Sequence, residues 1–372
     1  MSDRVFNFSP GPAVLPLTVV EQARDELLAL PGVGMSVLEI SHRSPAFDTI
    51  LEETLARLRS LLAIGSDYEI VLLQGGASLQ FSMVPMNLLR GRSEKADYVL
   101  TGTWGSTAIK EARREGGVHV AWDGGTTNYD RLPTTGQIAL SDNPAYVHVT
   151  SNETIQGVQW KSLPDVGTAP VVCDCSSDFL SRPIDVSKYG LIYACAQKNA
   201  GIAGVTVVII RKDLLQRSSD ELPRMLDYRT YVKEGSRPNT PPVFAVYILG
   251  LVCRWLQDEI GGLEAMAHHN ASKARLLYDV LDGSGGFYAG HAQPECRSDM
   301  NVTFRLPDAS LEKEFVTQAA AKGLVDLKGH RSVGGIRASI YNAMPVAGVE
   351  ALRNHMVSFM NTAAGSKTAA AR

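Results

Sequence analysis

From residue 68 onward, short apolar runs alternate with stretches whose apolar positions recur every three to four residues. The runs Tyr68–Leu73, Asp97–Leu100, Val118–Trp122, Ala145–Val149, Pro170–Cys173, Gly190–Ala196 and Val205–Ile210 are dense in aliphatic residues and short enough to be strands. Helical spacing occupies Thr18–Leu30, Phe47–Leu62, Val243–Glu259, Leu263–Leu281, Leu311–Lys322 and Val346–Phe359. It also follows the first two strands, to about Leu89 and Glu115. Seven strands interleaved with helices predict an α/β fold with a mostly parallel sheet. Thr240 before Pro241 reads as an N-cap. Gly261-Gly262 breaks the pattern and sets a boundary between a large domain, 17–260, and a smaller α+β C-terminal domain, 261–361. The smaller domain is expected to hold strands at Phe287–Tyr288 and Met300–Phe304 and a compact loop, Leu327–Ile340. Residues 1–16, with Pro10-Gly11-Pro12, predict an ordered loop crossing a cleft, neither strand nor helix. The Ala/Gly/Ser/Lys tail, Thr362–Arg372, predicts disorder.

Composition narrows the function more than the fold. The 372 residues carry 36 basic and 39 acidic side chains, net −3, which gives no electrostatic reason to expect nucleic acid or an anionic membrane. The longest aliphatic run, Val205–Ile210, is far short of a membrane span, and the first residues have no apolar signal core. Five cysteines, an odd number, fit reduced thiols in a cytoplasmic protein better than a disulfide framework. Cys173 and Cys175 alternate on one strand, but no second ligand pair of zinc spacing follows, so no metal is expected.

Ligands of open α/β sheets sit at the carboxyl ends of the strands, and the unusual residues of this chain sit there too. Lys198 lies in a polar crossing, Gln197-Lys198-Asn199, between two apolar runs. Poor hydration there would lower its pKa, as Schiff-base chemistry requires, although most lysines are solvated surface charges. Asp174 ends another strand; a buried carboxylate needs a partner, either a protonated ring nitrogen or a nearby Arg, N–H or Ser. Gln74-Gly75-Gly76-Ala77-Ser78 joins a strand to a helix, as a phosphate cradle or as an ordinary tight turn. Trp104 is either a packed lid or a platform for a flat ligand. His42-Arg43 and His330-Arg331 with Arg337 are two cation clusters, read as anion-binding corners or as solvated turns. Together these pieces fit a pyridoxal phosphate site with an acidic substrate beside it.

Longer collinear segments carry a resemblance. Asn7-Phe8-Ser9-Pro10-Gly11-Pro12, Ser41-His42-Arg43-Ser44, Val84–Leu88, Thr103-Trp104-Gly105, Ser151–Gly157, Ala194–Gly201, Arg237–Pro242 and Gly329–Pro345 resemble the phosphoserine aminotransferases, fold-type I pyridoxal-phosphate enzymes, along nearly the whole chain. The resemblance implies transamination between L-glutamate and 3-phosphohydroxypyruvate, and often an analogous phosphorylated substrate in vitamin B6 synthesis. It implies a homodimer with shared active sites, and association of residues 1–16 with the active site. Lys198 would bind pyridoxal 5'-phosphate covalently and shuttle the proton. Asp174 would pair with the pyridinium nitrogen, Trp104 would stack on the ring and Thr154 would lie near its hydroxyl. Gly76, Ala77 and Gln197 would hold the cofactor phosphate, joined by Asn239 and Thr240 of the second subunit. Arg337 would take the substrate α-carboxylate. Ser9, His42, Arg43, His330 and Arg331 would complete the substrate site. Some relatives carry an Arg just after the Gly-rich turn, where this chain has Ala77-Ser78.

Overall fold

The computed structural model describes residues 4–370. The seven expected strands form one sheet: β1 (Tyr68–Leu73), β2 (Ala96–Leu100), β3 (Val118–Asp123), β4 (Tyr146–Thr150), β5 (Val171–Asp174), β6 (Leu191–Cys195) and β7 (Thr206–Arg211). Their spatial order is β1-β7-β6-β5-β4-β2-β3. The β6–β5, β5–β4, β4–β2 and β2–β3 pairs are parallel, while β7 runs antiparallel to both neighbours.

The near-continuous apolar runs follow from burial on both faces. In β1, Ile70 and Leu72 face one core and Val71 and Leu73 the other; in β7, Val207 and Ile209 alternate in the same way with Val208 and Ile210. Helices Pro45–Leu61 and Val243–Asp258 cover the first face, and helices Gly76–Leu88 and Thr103–Ala112 the second. A further core gathers helix Leu263–Gly283, the antiparallel sheet of Ala289–Gly290, Asn301–Arg305 and Ile336–Ser339, and helix Val346–Ala370. Phe8, fully buried, belongs to this core.

Several expectations fail locally. Phe6–Asn7 is a short strand, paired in parallel with Leu324–Val325 in a sheet of just these two strands; the partner lies near the other end of the chain, so local sequence does not reveal it. Leu327–Ile340 is no mere loop, since its second half is the strand Ile336–Ser339, which pairs with Asn301–Phe304. The strand expected at Phe287–Tyr288 falls at Ala289–Gly290. Thr240 caps nothing: the helix starts at Val243 with Pro242 before it. Pro242 disfavours helical torsions at Pro241, so the helix cannot begin sooner. The first helix ends at Asp25, leaving Leu28 88% exposed. The last helix runs through Ala370 instead of giving way at Thr362, in keeping with the helix propensity of its alanines; residues 371–372 of the expected tail lie outside the described residues.

Candidate active site

Asp174 ends β5, and Lys198 follows the end of β6 by three residues. Because β5 and β6 are parallel neighbours, both side chains reach the same sheet edge. The connection between β6 and β7 is closed by Ala196 N–H donating to Val205 O at 3.0 Å, which holds Lys198 against the strand ends. Lys198 Nζ donates to Thr154 Oγ1 at 3.2 Å and lies 5.7 Å from the centroid of the Trp104 ring. Trp104 is the second residue of the helix that follows β2, and its Nε1 is buried without a partner.

Asp174 is buried and accepts from Ser176 N–H at 2.9 Å, yet it forms no ion pair among the described residues. Burial raises its pKa, and the charge of Lys198 pulls it back. For Lys198 the expected direction is overturned. Burial lowers its pKa, but Tyr341, Cys195, Asp174 and Glu153 around it more than reverse this, so the amine is held protonated. A pocket with two buried carboxylates and no resident cation favours the ammonium; a cation placed against Asp174 would relieve that pull.

Two residues here escaped the sequence reading. Glu153 is fully buried, and its carboxylate accepts from the N–H groups of Trp104 and Gly105, each at 3.3 Å. It thus caps the helix that carries Trp104, whose N-cap residue, Gly102, has no side chain to do so. A Cβ on Gly102 would come within 2.4 Å of Glu153 Cδ, so glycine is what lets the acid approach. Burial pushes the Glu153 carboxyl up to about 7, against the two N–H groups that lower it. The usable signal was a helix start without a capping side chain, which needs an acceptor from elsewhere. Tyr341 is also fully buried, donates to Pro10 O at 2.7 Å and lies close enough to Lys198 to shift its charge equilibrium. Nothing in its local sequence announces this.

Arg337 sits on the strand Ile336–Ser339, 8% exposed, with its Nε buried and unpartnered. Burial lowers its pKa and Tyr341 opposes that. His330 is close by: burial, then Arg337 and Arg331, lower its pKa. Its Nδ1 lies 2.7 Å from Ser332 Oγ, while Arg331 is exposed. The N-terminal segment closes over this group. Ala13 N–H donates to Gln197 O at 2.9 Å, a Cβ on Gly11 would stand 3.4 Å from Lys198 Cγ, and Ser9 Oγ accepts from Gly11 N–H at 3.4 Å.

Other sequence-nominated residues stand apart. Gly76 and Ala77 open the helix after β1; its N-terminus has no side-chain cap, and a Cβ on Gly76 would meet nothing within 4 Å. Gln74 Nε2 donates to Thr240 O at 3.0 Å, and Asn239 and Thr240 are exposed. Arg237 bonds the Asp48 carboxylate and, at 3.4 Å, His42 O; Arg43 is exposed beside it. Among the described contacts, none ties His42, Arg43, Asn239 or Thr240 to Lys198.

An open α/β sheet with a lysine, a buried acid and an indole at its carboxyl edge places, where such folds bind ligands, an amine that can form a Schiff base with a carbonyl. The chain belongs to the class-V aminotransferase family, whose family model matches residues 5–352. It is 53% identical over 358 residues to the phosphoserine aminotransferase of Rhodopirellula baltica, covering 96% of this chain and 95% of that one. It is 52% identical to that of Herpetosiphon aurantiacus, covering 95% and 98%. The solved phosphoserine aminotransferase of Bacillus circulans subsp. alkalophilus superposes with a TM-score of 0.94 at 50% identity, covering 97% of this chain and 99% of that one. The pyridoxal-phosphate-bound enzyme of Trichomonas vaginalis gives 0.90 at 41%, covering 95% and 99%. An alanine–glyoxylate aminotransferase from Nostoc shares the fold alone, at 16% identity and a TM-score of 0.76 over 97% and 96% of the two chains.

Proposed function

We propose that the chain is a phosphoserine aminotransferase, moving the amino group of L-glutamate to 3-phosphohydroxypyruvate to give O-phospho-L-serine and 2-oxoglutarate. The observation that carries this reading is the Lys198–Thr154–Trp104–Asp174 cluster, in a chain about half identical to phosphoserine aminotransferases over nearly its whole length. The residues fit pyridoxal phosphate. Asp174 lacks a cation that a protonated ring nitrogen would supply, Trp104 offers a ring face, and the uncapped helix start at Gly76 and Ala77 offers N–H groups to a phosphate.

When bound, pyridoxal phosphate supplies a conjugated ring that takes up the electron pair left when the substrate's α C–H bond breaks. The chain's own residues do the rest. Asp174 keeps a positive charge on the ring side of the pocket, and Trp104 orients whatever stacks on it. Thr154 Oγ1 fixes Lys198 Nζ, and that amine would take the proton from the substrate α carbon and deliver it to the C4′ carbon at the far end of the conjugated system, so that the nitrogen stays behind when the keto acid leaves. For this it must be neutral, so the pull of Tyr341, Cys195, Asp174 and Glu153 has to be offset first. Arg337, with an unpartnered Nε, binds the α-carboxylate shared by both substrates. Gln197 joins Gly76 and Ala77 at the cofactor phosphate.

The same reading makes the active enzyme a cytoplasmic homodimer, each protomer divided near Gly261 into a large and a small domain. Exposed Leu28, Val33, Met35 and Leu38 lie just before His42 and Arg43 in the chain, an apolar patch suited to a second copy. In that dimer Asn239 and Thr240 complete the partner's cofactor-phosphate site, and His42 and Arg43 reach the partner's substrate site, where with His330, Arg331 and Ser9 they recognise the phosphate or γ-carboxylate. All five cysteines are free and buried, as suits a reducing compartment, and no helix among the described residues is long and apolar enough to cross a membrane. The deciding experiment compares phosphohydroxypyruvate with hydroxypyruvate as amino acceptor. Preference for the phosphorylated acid, by at least about 10-fold in kcat/KM, is expected from charge-assisted contacts to the phosphate; preference for hydroxypyruvate refutes the assignment.

A further inference from the structure

Lys273 lies on helix Leu263–Gly283, fully buried and forming no ion pair among the described residues. Its Nζ donates to four backbone carbonyls: Tyr341 O at 2.5 Å, Ile340 O at 3.0 Å, Met344 O at 3.1 Å and Asn342 O at 3.2 Å. Neither helix nor strand points four carbonyls of five successive residues at one spot. The amine takes the place of the ladder that this turn lacks: burial lowers its pKa to about 7, and in its charged form it offers three protons to the four acceptors, one more than the neutral amine would.

What the turn joins is more informative than the clamp itself. It begins one residue after the strand that carries Arg337. Its Tyr341 lies beside Lys198 and bonds Pro10. Asn342 N–H donates to the side-chain oxygen of Asn199, the neighbour of Lys198, at 2.9 Å. Asn342 Nδ2 donates to Leu180 O at 2.9 Å, and its Oδ1 accepts from Asn270 at 2.8 Å, one turn before Lys273 on the same helix. This turn is thus one of the places where the C-terminal core meets the main sheet, alongside the contacts of Ser298 and Asn301 with Asn152; it is gripped by Asn270 and Lys273, with Arg337 on one side and Lys198 on the other.

We propose that Lys273 is a positioning residue for the substrate: by fixing the turn Ile340–Met344 it sets the span between the Arg337 guanidinium and the Lys198 amine. A substrate bound by its α-carboxylate has its α carbon one bond away, so this span decides whether that carbon reaches the base. The proposal rests on the aminotransferase reading above. Lys273 touches neither substrate nor cofactor; it acts through the turn.

The test is Lys273→Met in the full-length, cofactor-loaded enzyme, read by hydrogen exchange and by steady-state kinetics. Amides of 337–344 and 197–200 are expected to exchange at least about 10-fold faster, with β4 unchanged, because the turn loses the group that bonds four of its carbonyls. KM for glutamate is expected to rise about 10-fold, with kcat falling less. An unchanged KM, or exchange that accelerates equally in β4 and in the turn, overturns the proposal. Where the Met variant does not fold, Asn270→Ala breaks the adjacent grip and carries the same pattern at about 3-fold; no local change there also overturns it. Hydrogen exchange needs no turnover. A wild-type enzyme inactive on glutamate would therefore sink the functional reading while leaving the clamp separately measurable.

Discussion

The cluster around Lys198 and the corner around His42 and Arg43 are both anion-handling regions, and they are built differently. Around Lys198, Asp174, Glu153, Thr154 and Arg337 are buried, and neighbouring backbone and hydroxyl groups hold most of them in place. Around His42 the contacts include a backbone carbonyl taken by Arg237, the Arg237–Asp48 pair and Arg43 N–H donating to Ser41 Oγ, while the side chains of Arg43, Asn239 and Thr240 face solvent. A buried charge cluster is costly to assemble and is worth preorganising only where charge changes during the reaction. An exposed corner costs little and gains strength only when another surface excludes water from it. The first region therefore draws its described contacts from one chain. The second, on the proposed reading, awaits a second protomer.

The sharpest way to break this contrast is to empty the first region of its base. Lys198→Ala should lower transamination by at least about 1000-fold, because the variant loses covalent attachment and proton transfer together. The fold should survive, since Lys198 makes one side-chain hydrogen bond. A steady-state assay with glutamate checks this, with far-ultraviolet circular dichroism alongside; retained turnover would remove Lys198 from the mechanism.

The second region is tested by mixing. Arg43→Ala alone should cost about 10-fold in kcat/KM for phosphohydroxypyruvate and little for hydroxypyruvate. In a one-to-one mixture of Arg43→Ala and Lys198→Ala chains, refolded together, each mixed dimer should contain one fully native site if Arg43 serves the partner. The native preference for the phosphorylated acid should then reappear. If Arg43 serves its own chain, no native site forms and the preference stays at the level of the single variant.

The same contrast explains how far the sequence could be read. The seven strands were legible because two-sided burial leaves continuous aliphatic runs, and Asp174 and Lys198 were legible because they interrupt such runs at their ends. Arg337 was legible as a cation among glycines, but not as a strand residue. Its pairing with Thr303 is a contact across 34 positions, which local spacing does not encode. The charge state of Lys198 was misread for a related reason: of the groups that raise its pKa, Tyr341, Asp174 and Glu153 come from distant positions and only Cys195 lies near it in the chain. Glu153 was hidden because its role belongs to a helix start 50 residues upstream.

Glu153 gives the smallest expected effect and the most specific one. Its folded-state pKa, about 7, lies above the ordinary 4.5, so between these values the native state binds more protons than the unfolded chain. Stability from this group is therefore present in full below pH 4.5 and is lost as pH rises through 7, by about 3 kcal/mol if the 2.5-unit gap is fully expressed. Glu153→Gln keeps one acceptor for the N–H groups of Trp104 and Gly105 and cannot ionise. Near pH 4 variant and wild type are both uncharged at 153, and their melting temperatures should differ by a fixed offset from the changed hydrogen bond. Between pH 5 and pH 8 the wild type should fall relative to the variant by a few degrees, on the order expected for that free energy in a chain of this length. Melting curves across pH decide it. A gap that stays constant would mean that Glu153 has the same pKa in the folded and the unfolded chain, the helix N-terminus offsetting burial, and the cap of the Trp104 helix would then be an ordinary carboxylate, charged above pH 5, instead of one that titrates near neutrality.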